Sequence, residues 1–145
     1  MKRLLATVGL LLAVASCVAP PTTLGPAIPT PLATASPRPS PVVSAKGLIR
    51  LTTPSVNAKL QSPLTITGDA SVFEAALQWR ISDTGGRVIA EGNTTASLGA
   101  PGRGTYLVSV PYTVTAETVA FVEVFSRSPK DGNIDELVRV PVTLR

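Results

Sequence analysis

The chain has 145 residues, a formal net charge of +4, one cysteine and no histidine, a length that suits one domain with appendages. From Gly47 to Arg145 nine basic residues balance nine acidic ones, and the excess positive charge sits earlier, at Lys2, Arg3, Arg38 and Lys46. A neutral span without a basic stripe excludes a footprint for phosphate backbones, so no nucleic-acid partner is expected.

In chain order, residues 1–16 read as a lipoprotein signal peptide. Lys2-Arg3 precede an apolar run from Leu4 to Ala15, shorter than the roughly 20 residues a spanning helix needs, and the run leaves through small residues as a secretory signal does. Val14-Ala15-Ser16-Cys17 resembles a bacterial lipobox, which requires a thiol directly after the cleavage point because its sulfur accepts a diacylglyceryl group. Cys17 is the expected lipidation site. Each buried methylene contributes about 0.8 kcal/mol, so two or three chains anchor durably where one does not. The expected location is extracytoplasmic, on a membrane of the bacterial cell envelope. With one cysteine there is no internal disulfide, so packing alone must hold the exported domain.

Residues 17–46 form the lipidated cysteine and a tether. Val18 to Lys46 contains eight prolines and seven Ser or Thr, with no aromatic residue. Proline fixes φ and lacks the N–H donor, so this stretch is expected as a disordered, extended spacer rather than a helix or central strand. Fully extended, it reaches at most about 90 Å.

Residues 47–145 hold all six aromatic residues, and about 100 residues can bury roughly two-thirds of their unfolded surface. Seven strands are expected, near 48–53, 63–68, 73–82, 87–95, 105–112, 119–126 and 137–144. The third is ambiguous by itself. In "FEAALQWRISD" Phe73, Leu77 and Ile81 recur at helical spacing, yet Phe73, Ala75, Leu77, Trp79 and Ile81 also alternate with polar or small residues. "DTGGR" supplies a tight turn directly afterwards, and "VIAEG" reads as the return strand, which favours a hairpin over a helix. Alternation in "TYLVSVPY" and in Val138, Val140, Val142 and Leu144 supports the same all-β class: an immunoglobulin-like antiparallel β-sandwich of about seven strands. Trp79, in the third strand, is expected to fill the core, and Pro111 and Pro141 to sit at edges or bulges.

The stretches "SPLTITGDASVFEAALQWRISDTGGRVIAEG", "APGRGTYLVSV", "FVEVFSRSPKDG" and "LVRVPVTL" together resemble the immunoglobulin-like domain of bacterial spore germination, over nearly all of residues 48–145. The resemblance implies an immunoglobulin-like sandwich on an exported protein, acting as an envelope binding module. It supplies no catalytic residues.

The lack of histidine removes Ser-His-Asp and Cys-His catalysis and the commonest transition-metal ligand. No catalytic residue, cofactor or metal site is therefore expected. "DGNID" places Asp131, Asn133 and Asp135 at the spacing of the first EF-hand ligands, but Glu136 stands where the loop needs glycine, so a polar hairpin turn is expected instead. Phe73, Glu74 and Asp131 are the candidate binding residues. The expected function is a lipid-anchored envelope protein displaying a non-catalytic module for another envelope protein or a cell-wall polymer, with a possible tie to sporulation or germination. The alternative is an accessory or weak hydrolase acting on envelope glycans through Glu74 and Asp131, and a purely structural spacer is a third reading.

Overall fold

The computed structural model describes residues 40–145, so the signal peptide, Cys17 and most of the tether lie outside the described residues. Nine strands form among the described residues: β1 (Val42–Val43), β2 (Ile49–Thr53), β3 (Ala58–Leu60), β4 (Leu64–Ala70), β5 (Ala76–Asp83), β6 (Val88–Thr95), β7 (Gly104–Val110), β8 (Thr118–Arg127) and β9 (Ile134–Leu144). They make two sheets, ordered β1-β2-β4-β7 and β3-β9-β8-β5-β6. The domain is an all-β immunoglobulin-like sandwich. Period-two alternation is the cause: Leu64, Ile66, Tyr106, Val110, Val122, Val124, Val138, Val140, Val142 and Leu144 are all buried between the sheets.

Two short strands go beyond the seven expected. β3 pairs in parallel with β9, Ala58 opposite Val142 and Leu60 opposite Leu144, so the sandwich is not wholly antiparallel. A three-residue strand carries too little alternation to be read from sequence. β1 lies in the span expected to be tether, and pairs Val42 with Leu51 and Val43 with Arg50. Folded structure therefore begins ahead of Gly47. The reason is a buried carboxylate. Glu136 is 3% exposed, and it accepts hydrogen bonds from the Ser44 hydroxyl and, at 3.2 Å, from the Lys46 backbone N–H. Ser44 Oγ in turn accepts the Ile49 N–H at 3.0 Å. A buried charge needs such partners, and residues 44–46 are the chain that supplies them.

Pro141 stands inside β9, opposite Phe121 of β8. Its carbonyl faces away from β8 and accepts the Asn57 N–H at 2.8 Å. A proline's missing donor would point the same way, so the β8–β9 ladder loses nothing.

The β5–β6 hairpin turn is closed by Asp83. Its Oδ1 accepts the N–H groups of Gly85 at 3.0 Å and Arg87 at 2.9 Å, while Arg87 Nε donates to Oδ2 at 3.1 Å. The Arg87 backbone first, and then its side chain, hold this carboxyl below the ordinary carboxylate value. A depressed pKa stabilises the fold above the unfolded value of about 3.9, and the contribution is lost as pH falls through the folded value. Asp83→Asn is expected to flatten the acid limb of the stability curve below about pH 4, as read by thermal unfolding across the acid range.

Candidate functional site

The segment between β4 and β5 departs most from the strand expected over 73–82. Phe73–Ala75 form a single 3-10 turn, and the strand begins at Ala76. Glu74 (φ 52°) and Ala75 (φ 57°) are consecutive left-handed residues, neither of them glycine. Such a conformation costs of order 1 kcal/mol or more per residue and persists where its surroundings enforce it. Here the β6–β7 loop enforces it. Ala75 donates its N–H to the Val72 carbonyl at 3.1 Å and accepts from Ala96 at 2.9 Å, and Ala100 donates to Val72 at 2.9 Å. Gly99 lies so close that a Cβ on it would sit 2.8 Å from the Ala75 nitrogen. The turn rotates Phe73 out of the Trp79 face, leaving it 60% exposed instead of in the core.

Phe73 and Glu74 stand on the rim of a groove of about 710 Å³ at this end of the sandwich. Val72 and Leu77 give it an apolar wall. Gln78 of β5, Asn93–Thr95 of β6, and Ser126, Arg127, Ser128, Pro129 and Asp135 around the β8–β9 turn complete the lining. Of the three candidate binding residues, the structure brings Phe73 and Glu74 together and leaves Asp131 outside the lining. Asp131 serves its own turn: Oδ1 accepts the Asn133 N–H at 3.2 Å, and hydrogen bonds from Asn133 and then Ser128 hold its carboxyl below the ordinary value. The carboxylate that joins Glu74 in the groove is Asp135, paired with Lys46 at 2.6 Å. Among the described residues no group of three or more His, Cys, Asp or Glu side chains is placed to hold a metal ion.

A second, smaller groove of about 300 Å³ lies on the outer face of β5, β6 and β8, and it shares Gln78, Asn93 and Arg127 with the first. Phe125, Arg80 and Arg127 line it, and they are one end of a ladder of stacked cations and rings that continues across the sheet. The Arg127 and Arg80 guanidiniums lie 5.3 and 5.6 Å from the Phe125 centroid, and Arg139 lies 3.7 Å from that of Phe121. Glu123 stands between, bridged to Arg80 at 2.6 Å and to Arg139 at 3.4 Å. On the opposite face of β5, Trp79 packs against the core over Gly92, whose missing Cβ leaves the ring its place. It is half-buried, and its Nε1 has no hydrogen-bond partner among the described residues. Gln78, Asn93, Arg127 and Asp135 were not legible as site residues. Their outward positions follow from alternation, but their convergence depends on strand register and on a turn that sequence reading missed.

No curated protein matches the chain. Among solved structures, the crystal structure of CopC from Methylosinus trichosporium OB3b is similar at 18% identity and a TM-score of 0.40, over 72% of this chain and 91% of that one. Residues 48–133, more than half of the chain, match the immunoglobulin-like domain of bacterial spore germination, from the start of β2 to the β8–β9 turn that closes the groove. With its sandwich and these matched residues, the chain belongs to the family of the immunoglobulin-like domain of bacterial spore germination.

Proposed function

We propose that this protein is a lipid-anchored component of the bacterial cell envelope, outside the cytoplasm, whose immunoglobulin-like domain binds another envelope protein or a cell-wall polymer without catalysing a reaction. Cys17 carries the anchor, the residues after it form the tether, and the groove at the β4–β5 and β8–β9 end receives the ligand. The observation that carries this reading is Phe73: a large ring, 60% exposed, held over a groove by a turn of two left-handed residues that the β6–β7 loop locks in place. Binding residues concentrate on loops held by a rigid scaffold, and backbone strain clusters at ligand clamps, so an exposed ring on an enforced, strained turn supports a binding role. The proline-rich residues 18–41, ahead of β1, set the domain at a distance from the membrane, where a wall component is within reach.

Crosslinking in intact envelopes tests the reading with three forms of the full chain. Wild type is expected at the membrane with crosslinked adducts. Cys17→Ala is expected to take up no labelled fatty acid and to keep its uncleaved signal, and Phe73→Ala to stay at the membrane with adducts reduced roughly tenfold, as for an aromatic anchor at an interface. Adducts unchanged by Phe73→Ala would remove the groove from the proposal, and a wild type that takes up no more labelled fatty acid than Cys17→Ala would remove the anchor.

A further inference from the structure

The geometry points to an uncharged linear glycan as the ligand of this groove, lying along one continuous channel from Phe73 at the end of the sandwich onto the outer face of β5 and β6. This rests on the groove's being the binding site. The two grooves share Gln78, Asn93 and Arg127 and so form a single path. At its midpoint Gln78 and Asn93 stand directly opposite each other across β5 and β6. Arg127 Nε donates to Gln78 Oε1 at 2.8 Å, which fixes that amide with its NH₂ group available to a ligand. Asn93 is exposed, so its amide is open to a ligand. Paired amides offer donors and acceptors side by side, the pattern that matches hydroxyl and acetamido groups along a sugar chain. Phe73, exposed at the mouth, supplies the aromatic surface on which the C–H face of a pyranose can pack.

Charge decides between polymers. Glu74, Asp135 and Glu91 line the path together with Arg127 and Arg80, so the channel has no positive excess to attract a phosphate-bearing or polycarboxylate chain. Peptide capture by strand addition would use the open backbone edge of β6, whereas the groups assembled here are side chains on the sheet face.

Calorimetric titration of the detergent-solubilised full-length protein with an N-acetylglucosamine hexamer tests this, with poly(glycerol phosphate) as the anionic comparison. Saturable binding of the hexamer is expected, weakened roughly tenfold by Phe73→Ala and by Asn93→Ala, both exposed positions whose replacement leaves the fold intact. Binding that neither variant weakens, or preference for the phosphate polymer, overturns the glycan inference. If the hexamer fails to bind while Phe73→Ala still abolishes envelope crosslinks, the groove takes a protein, and the proposed function stands without its glycan. If both measurements fail, both fall.

Discussion

Alanine at Gly68 is expected to cost the domain about 3 kcal/mol, the upper end of ordinary overpacking. Gly68 stands opposite Tyr106 in the β4–β7 register, and the tyrosine ring crosses over it to reach β2. There its hydroxyl donates to the Arg50 carbonyl at 2.9 Å. A methyl group on Gly68 would overlap that carbonyl oxygen and the hydroxyl, and would lie 2.7 Å from the ring carbon that bears it. The ring is 3% exposed and hemmed in, and the carbonyl belongs to the backbone of a paired strand. Neither can yield cheaply. Burial first, and the nearby Asp69 charge second, push the Tyr106 phenol up, so it remains a donor throughout the physiological range. Urea unfolding of the two proteins measures the loss. A companion Tyr106→Phe change in the Gly68→Ala background is expected to recover a part of it, because the clash with Arg50 remains. A loss under about 1 kcal/mol would show that β2 and β4 are not locked in this register.

Removing the Glu123 carboxylate is the second large effect. Its side chain is 6% exposed in the centre of the second sheet, between Arg80 of β5 and Arg139 of β9, whose side chains are 32% and 50% exposed. In Glu123→Ala the two guanidiniums would keep their places on Phe125 and Phe121 with nothing between them to offset like charge. Breaking a fully buried pair costs about 3–5 kcal/mol, and the solvent reaching both arginines lowers the expectation here to roughly 2 kcal/mol. Glu123→Gln keeps an acceptor for Arg80 and is expected to lose about half as much. Chemical denaturation with a double-mutant cycle against Arg80→Ala isolates the coupling, and strict additivity would show that the ladder is decoration on three well-packed strands. Because Arg80 also floors the smaller groove, the cycle is best read alongside glycan titration of the same variants.

The two effects belong to opposite sheets. Gly68 and Tyr106 tie β2, β4 and β7 together, while Glu123 ties β5, β8 and β9, the strands from which Gln78, Arg127 and Asp135 reach the groove. A weakened Glu123 cluster should therefore disturb ligand binding more than an equally destabilising change at Gly68.

Most of the sandwich was legible in the residues alone. Strict alternation in Leu64 and Ile66, in Tyr106 to Val110 and in Val138 to Leu144 specifies strands with one buried face, and "DTGGR" specifies a hairpin, since these are local consequences of a two-residue period and of turn chemistry. The family followed from the same stretches. The binding end did not. Phe73 obeys the strand alternation of its neighbours, and nothing local announces that Glu74 and Ala75 turn left-handed. That outcome is imposed by Gly99, Ala96 and Ala100 arriving from a loop more than twenty residues away. Likewise, Ser44 reads as spacer until Glu136, ninety-two positions later, requires its hydroxyl. Alternation is written within a strand, whereas the partners of a strained turn, a buried carboxylate or a facing amide pair are chosen by which distant strands lie side by side.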